Sequence, residues 1–406
     1  MVSAFGWLDT DESQRQKMME VIEFFKEEGV VDELGIGAIR NAFANALFPG
    51  TSVQHTQTRY ALFIPWLLER AANETSPDRM IVALRKYEID LIYALLRNEQ
   101  VGVIGKQAKE RLQRMPSSMY WAQIGRWGLL RPPGGVGSVS IAKFFQHAHA
   151  VNSLHRRSMK ADDDGIVIGG GRYWLDPDLP PAPPAFPADA TFYLTPNEEE
   201  YLSTKIATAT EGSLLSWLVN NPPSHTVDYV WQLPFDEIGP LPTPLASLVD
   251  HARRFHTAIA GAPTLYYLML AEALDDRERI DLYRDYLDAW REEILATRVL
   301  EGWNRSQMWF SLRRVNSRLS VWTQGFVNGW LDHIGTDTDV AASKSARDLI
   351  FHRERQTKGG RARLANRNAL DAWSGSNGMG RFDYRWQVAQ NLLTDLSTAR
   401  SGMVLS

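Results

Sequence analysis

Apolar residues recur every three or four positions along residues 77–98, and this spacing constrains the fold more than any other feature of the sequence. They are Met80, Leu84, Tyr87, Leu91 and Leu95. Such spacing places them on one side of an α-helix. The same period appears in most of the chain, including residues 196–209, 244–274 and 306–334. The pattern predicts a mainly α, multi-helix, two-lobed fold, with a small β-hairpin or extended segment near 165–175.

Proline marks the predicted domain boundary. Six prolines fall between positions 177 and 187, and such a density favours an extended linker over a helix. We therefore predict an N-terminal helical domain over residues 1–175 and a linker at 176–190. A central helical domain over 191–335 and a basic C-terminal helical region over 336–406 would follow.

The composition excludes several kinds of chemistry. The 406 residues include no cysteine, which excludes disulfides, Cys-ligated zinc, iron–sulfur clusters and thiol nucleophiles. The nine histidines have no metal-ligand spacing, and no Walker A segment or G-x-S-x-G elbow is present. We therefore expect no metal and no cofactor. Without an export signal or a long apolar stretch, we also expect a soluble, cytoplasmic protein with no membrane partner.

Charge is strongly segregated along the chain, although its formal net charge is only −4. Residues 101–160 carry ten bases and one acid, a net charge of +9, and residues 344–367 carry eight bases and two acids, a net charge of +6. Residues 161–250 carry fourteen acids and two bases, a net charge of −12. Two interpretations remain open: the basic blocks bind a polyanion such as nucleic acid, or they pair with the acidic middle of the same chain.

An acidic pair, Asp32 and Glu33, stands at the predicted start of a helix over residues 31–46. Acids at that place commonly cap the helix. In the functional interpretation, Glu33 and Arg40 lie on the same helix face, seven positions apart. The glycines between them weaken the helix, which indicates that something approaches the backbone closely there.

A polar segment follows the turn at Pro49-Gly50. It contains Gln57, Thr58, Arg59 and Tyr60. Hydroxyl, amide and guanidinium groups in this arrangement suit the binding of phosphates or of base edges. The alternative is an ordinary polar turn in which Arg59 pairs with a nearby acid.

Aromatic residues and cations alternate in the first basic block, where Tyr120, Trp121, Arg126 and Trp127 lie within eight positions. The rings suit stacking on bases or insertion between base pairs. Packing in a core is the other use of such rings.

A glycine-rich turn follows and leads into a predicted helix over residues 140–155. Gly135, Gly137, Ser138 and Lys143 partly match the helix–hairpin–helix motif, whose backbone N–H groups bind a DNA phosphate. The residue before Gly-Val-Gly is glycine, where that motif usually has proline.

The second basic block contains Lys358, Arg361 and Arg363 beside flexible glycines. This mixture suits contact with a nucleic-acid backbone. A solvated helix face is the alternative.

Short motifs near both ends of the chain form a recognisable set. They are Gly6-Trp7-Leu8-Asp9, Asp32-Glu33-Leu34-Gly35-Ile36-Gly37, Leu47-Phe48-Pro49-Gly50-Thr51-Ser52, Gln57-Thr58-Arg59-Tyr60, Pro116-Ser117-Ser118-x-Tyr120-Trp121, Ala362-Arg363-Leu364, Ala369-Leu370-x-x-Trp373 and Asp383-Tyr384-Arg385-Trp386. Together they resemble a bacterial family, a domain of unknown function, over most of the chain. The resemblance implies a role in anti-phage defence, because such proteins tend to be encoded beside helicases and nuclease-like proteins.

A further likeness is to an anti-phage DNA glycosylase, which removes modified phage bases such as glucosylated hydroxymethylcytosine. That likeness implies double-stranded phage DNA as the partner and a flipped-out base beside Tyr120, Trp121 or Trp127. Asp32 and Glu33 are then the first candidates for the catalytic acid and Asp9 the second. The alternative is a non-catalytic DNA-binding sensor or adaptor that recruits a defence helicase or nuclease.

Overall fold

The computed structural model describes residues 32–135, 139–161, 173–336, 339–375 and 381–402. In this part of the chain the protein is mainly α-helical, as predicted. Leu130 and Leu175 form an isolated antiparallel bridge. Most of the hairpin predicted near 165–175 lies outside the described residues.

The described residues contain sixteen α-helices. They are, in chain order, α1 (Gly37–Leu47), α2 (Tyr60–Ala71), α3 (Pro77–Arg97), α4 (Pro116–Arg126), α5 (Ile141–Ala161), α6 (Pro196–Ala209), α7 (Leu214–Asn220), α8 (Phe235–Ile238), α9 (Thr243–Ile259), α10 (Gly261–Leu274), α11 (Arg277–Thr297), α12 (Arg305–Val315), α13 (Val321–Thr336), α14 (Lys344–Lys358), α15 (Arg367–Asp371) and α16 (Trp386–Arg400). Short 3₁₀ turns cover Lys109–Arg111, Val230–Gln232 and Gly359–Arg361. None of these described helices is long and apolar enough to cross a membrane.

Local sequence explains where α6 begins. The hydroxyl of Thr195 accepts a hydrogen bond from the Glu198 amide at 3.3 Å, and the Glu198 carboxylate accepts one from the Thr195 amide at 2.8 Å. This reciprocal pair is a capping box, which satisfies N–H groups that the first turn leaves without helical partners.

The structure divides into two compact units, and each is built from segments that are distant in sequence. Among the described residues, the first unit comprises 48–226 and 385–402, and the second comprises 32–47 and 227–384 with its gaps. The domain boundaries at 175, 190 and 335 stay predictions from the sequence.

The core of the first unit forms around α2, whose residues from Tyr60 to Leu68 are all buried. A helix that is apolar on all sides, like this one, belongs in an interior. The proline-rich segment packs against it: the Trp66 indole donates to the Pro180 carbonyl at 2.7 Å. The C-terminal helix α16 completes this unit by packing on α6 and α7.

The second unit is organised by α9, α10 and α11. The sequence period predicts one helix over 244–274, but the structure has two, α9 and α10, which meet at Ala260. The Trp290 ring lies against Gly261, where a Cβ atom would stand 2.6 Å from the ring carbons. The segment 306–334 is likewise two helices, α12 and α13, joined by residues 316–320.

Candidate functional site

Asp32 lies just before α1 in the second unit. Its carboxylate accepts hydrogen bonds from the amides of Ile36 at 2.7 Å and Gly37 at 3.1 Å. Burial raises the pKa of this carboxyl group, whereas the two amides and then Arg40 and Arg353 act to lower it. The carboxylate therefore serves the start of α1 as a cap, since it satisfies N–H groups that have no partner within the helix.

Glu33 brings two predicted regions of the chain together. Its carboxylate is 5% exposed and forms ion pairs with Lys358, at the end of α14, and with Arg363 Nη1, at 2.6 Å. Arg363 is 330 positions away in sequence. The first acid candidate and two of the three C-terminal basic candidates thus form one buried cluster, while the third, Arg361, is exposed.

Burial and ion pairing shift the pKa of the Lys358 amine in opposite directions. Burial, followed by the nearby Arg363, lowers the pKa of its amine to about 7, with Asp32 opposing the shift and Arg361 adding to it. The Glu33 carboxylate favours the charged amine, as any adjacent opposite charge does.

A second carboxylate of the cluster, Glu354, is fully buried on α14. It accepts hydrogen bonds from the Tyr266 hydroxyl at 2.6 Å and from the amides of Arg363 at 2.7 Å and Leu364 at 3.0 Å. The sequence pattern does not single out this residue. One feature of the sequence could have indicated it, because Glu354 is one of only two acids in the basic block 344–367.

The position of the Arg353 side chain explains why a glycine stands at position 35, just before α1. Its guanidinium donates to the carbonyls of Leu34 at 2.7 Å and Gly35 at 3.1 Å, and to the Thr323 hydroxyl at 2.8 Å. Gly35 has a φ of +63°, and a Cβ atom there would stand 2.8 Å from the Arg353 Nη2 atom. The group that approaches the backbone closely at Gly35 is therefore this arginine.

Arg40, the remaining candidate from this region, is half-buried on α1. Its guanidinium donates to the Asn41 side chain at 3.4 Å and lies 5.9 Å from the centroid of the Phe382 ring. These contacts are ones that a structural arginine makes.

The polar segment before α2 is turned into the first unit. The guanidinium of Arg59 is buried, donates to the Thr191 carbonyl, and forms an ion pair with Glu198 at 2.8 Å. The other three members also contact protein groups. The side-chain amide of Gln57 donates to the Val101 carbonyl, and the backbone amide of Thr58 donates to the Asp395 carboxylate. The Tyr60 hydroxyl accepts a hydrogen bond from the backbone amide of Ile104. Arg59 pairs with an acid, as in the second interpretation of this segment.

The three aromatic candidates on and after α4 lie in the core of the first unit. Tyr120 and Trp127 are completely buried, and Trp121 nearly so. The Trp121 indole donates to the Val139 carbonyl at 2.9 Å, and the Trp127 indole to the Pro49 carbonyl at 3.2 Å. A base can stack on these rings only after the surrounding core has opened.

The cations of the same region remain at the surface. Arg126 at the end of α4 and Lys143 in the first turn of α5 are exposed, as is Gly135. Arg131 is half-exposed, and its guanidinium forms an ion pair with the buried Asp176 at 3.1 Å. The Arg131 amide donates to the Trp174 carbonyl at 2.7 Å. We name these four described residues the α4–α5 hairpin. Gly137, Ser138 and Asp9 lie outside the described residues.

The described residues contain no group of three or more His, Asp or Glu side chains placed to hold a metal ion. The arrangements present are a buried acid–base cluster in the second unit and an exposed cationic hairpin in the first.

A sequence profile of a family of unknown function, DUF6361, matches residues 2–400. The chain belongs to this family. No curated protein and no solved structure matches it. The membership confirms the predicted likeness to an uncharacterised family over most of the chain.

Proposed function

We propose that the protein binds double-stranded DNA and serves in anti-phage defence. The observation that carries the DNA-binding proposal is the α4–α5 hairpin, where Arg126, Gly135 and Lys143 are exposed. Exposed cations and backbone N–H groups beside a helix start are the groups that bind DNA phosphates. The net charge of +9 over residues 101–160 supports the same proposal.

Gel-shift titrations of a DNA duplex at two salt concentrations test this proposal. The affinity should fall as salt rises, because bound cations release counterions from the phosphates. Lys143→Glu and Arg126→Glu should each weaken binding and reduce the salt slope by about 1.

Lys86→Glu is the matched control, since Lys86 is an exposed cation on α3 of the same unit. Binding that does not respond to salt would contradict the proposal. So would an equal loss of affinity in the control and in Lys143→Glu.

We further propose base excision as the activity on that DNA, in line with the resemblance to a DNA glycosylase. A modified base would be flipped out of the duplex, and a carboxylate would stabilise the positive charge that develops on the sugar. Glu33 is the first candidate for this group, with Asp32 and Asp9 as the others. No metal or cofactor enters this scheme.

A specific observation favours a second candidate function, a non-catalytic sensor or adaptor that recruits a defence helicase or nuclease. The Glu33 carboxylate is engaged by two cations, and the Asp32 carboxylate by two amides. A catalytic carboxylate must reach a sugar, which these contacts oppose. DNA binding at the α4–α5 hairpin is common to both functions.

Incubation with phage DNA that carries glucosylated hydroxymethylcytosine, followed by an abasic-site endonuclease, separates the two. Base excision predicts strand cleavage that is lost in Glu33→Gln, while the gel shift of this variant is retained. Intact strands with wild-type protein that still binds DNA would exclude the glycosylase and leave the adaptor. The Glu301→Gln variant, which alters an exposed carboxylate of the same unit, controls for the change of charge.

A further inference from the structure

The α12–α13 pair carries a cationic surface that the predicted sites do not include. Residues 302–331 contain four arginines and no acid. They are Arg305, Arg313, Arg314 and Arg318, and the last three have exposed side chains. Arg305 pairs with Asp332 at 2.5 Å. The surface around the α12–α13 connection is therefore positively charged.

Two large aromatic side chains are exposed on these two helices. Phe310 on α12 is 66% exposed, and Trp322 at the start of α13 is 69% exposed. Val315 and Val321, on either side of the connection, are exposed as well. Exposed apolar side chains grouped in this way mark binding surfaces, because leaving them in water costs free energy that a partner recovers.

The two helices enclose a cleft of about 530 Å³ between them. Phe310 and Arg313 line one side, and Gln324, Asn328 and Asp332, the acid that pairs with Arg305, line the other. Arg313 donates to the Gln324 side chain at 2.5 Å, which ties the walls together. A cleft of this volume with one aromatic wall and several amide or guanidinium groups is large enough for a nucleobase and its sugar.

We propose that the α12–α13 surface binds single-stranded nucleic acid. Phe310 and Trp322 stack on unpaired bases, while Arg314 and Arg318 contact the phosphates. A ring at the protein surface can stack only on a base whose face is exposed. A duplex hides these faces between its stacked base pairs, whereas a single strand exposes them. Four arginines against two flanking acids, Glu301 and Asp332, leave residues 301–332 with a net positive charge, which favours a polyanion over a protein of mixed charge.

This inference goes beyond the proposed function and does not depend on it. The α4–α5 hairpin lies in the first unit and is proposed to bind duplex DNA, whereas α12 and α13 belong to the second unit. Variants of one surface can therefore be compared with variants of the other on both kinds of DNA.

Fluorescence anisotropy with labelled oligo(dT), and with its duplex, tests the inference in the full-length protein. Phe310→Ala and Trp322→Ala should each weaken oligo(dT) binding about tenfold, since stacking on one base has that magnitude. Trp322→Phe should restore most of the loss because it keeps an aromatic ring. Arg314→Gln and Arg318→Gln should each lower the salt slope by about 0.7, the value for one phosphate contact on a single strand.

Tyr193→Ala and Arg298→Gln are the matched controls, because both side chains are exposed and lie on other elements. Duplex binding should be weakened in Lys143→Glu and retained in Phe310→Ala. Oligo(dT) affinity equal to wild type in both aromatic variants would overturn the inference. Loss of a protein partner in Trp322→Ala, with oligo(dT) affinity unchanged, would also overturn it and assign the surface to that protein. Thermal unfolding of each variant shows that the fold is intact.

Discussion

At the scale of single residues, the charge state of Glu33 is tied to two cations that only the tertiary fold supplies. Replacement by glutamine keeps the shape of the side chain but leaves Lys358 and Arg363 without their carboxylate. Because the pairs are largely buried, we expect Glu33→Gln to lower the free energy of unfolding by about 3 kcal/mol. Urea denaturation at neutral pH measures the loss.

Glu301→Gln provides the comparison. Glu301 is exposed and pairs with the exposed Arg298 at 3.8 Å. Surface pairs of this kind contribute at most about 1 kcal/mol. Equal losses in the two variants would show that the buried cluster does not stabilise the second unit.

A buried histidine gives the protein a pH-dependent stability. The Nδ1 atom of His256 lies 2.8 Å from the Phe382 carbonyl, so the neutral ring donates there. Burial lowers the pKa of His256 to about 4, from 6.5 in the unfolded chain, while the carbonyl of Phe382 opposes the shift. Between these values the unfolded state binds more protons, and stability therefore falls as pH falls from 6.5 to 4.

The expected contribution of His256 is a slope of up to about 1.4 kcal/mol per pH unit in that window. His256→Gln should flatten the pH dependence of stability when urea unfolding is followed from pH 4 to 7.

The contribution of Glu88 to stability changes with pH in the opposite direction. Burial raises the pKa of Glu88 to about 7 from 4.5, so its contribution is lost as pH rises. Glu88→Gln should therefore steepen the loss of stability in acid, and an unchanged slope in both variants would contradict the two assignments.

At the scale of elements, the sequence predicts helices well where the local signals agree. The predicted helix 196–209 has the observed bounds of α6, because the capping box of Thr195 and Glu198 is a local feature. The breaks between α9 and α10 and between α12 and α13 were missed. The apolar period continues across both breaks, and packing against other helices decides where each segment turns.

The break at Ala260 can be tested through Gly261. A Cβ atom there would collide with the Trp290 ring, which is held in place because its indole donates to the Thr257 carbonyl at 2.7 Å. We expect Gly261→Ala to destabilise the protein by about 2 kcal/mol. Thermal unfolding measures the shift.

Gly325→Ala, on α13, is the matched control. A Cβ atom there meets no other atom within 4 Å, so alanine should stabilise the helix by roughly 0.5 to 1 kcal/mol. A destabilisation of the same size in both variants would show that the contact with Trp290 is not the cause.

At the scale of the whole molecule, the C-terminal helix belongs to the same unit as residues 48–226, although residues 227–384 separate the two in sequence. The Trp386 side chain on α16 is completely buried, with its ring 5.8 Å from that of Phe48. We expect Trp386→Ala to lower the free energy of unfolding by about 4 kcal/mol, through the lost burial and the cavity left behind. Limited proteolysis should then cleave within residues 48–226 sooner than in wild type.

Trp322→Ala is the comparison, since that tryptophan is exposed. Its truncation should leave both the unfolding midpoint and the proteolytic pattern close to those of wild type. Faster cleavage in this variant, or none in Trp386→Ala, would contradict the role given to α16.

The sequence predicted some features of the candidate site and could not predict others. The sequence indicated Glu33, Lys358 and Arg363 separately. It could not indicate that Glu33 meets the two cations, because it lies more than 300 positions from both of them. It also could not separate Trp121, which is buried, from Arg126, which is exposed. A residue's type predicts the contacts that it can make, whereas burial depends on what packs over it.

The sequence by itself determined the helical class, most helix positions and the segregation of charge, because apolar periodicity, capping and charge are properties of short segments. Only the tertiary structure decided that Glu33 meets Lys358 and that Arg59 pairs with Glu198. It also decided that Phe310 and Trp322 remain at the surface. The physical reason is that desolvation, ion pairing and exposure are set by groups that meet only when distant segments pack together.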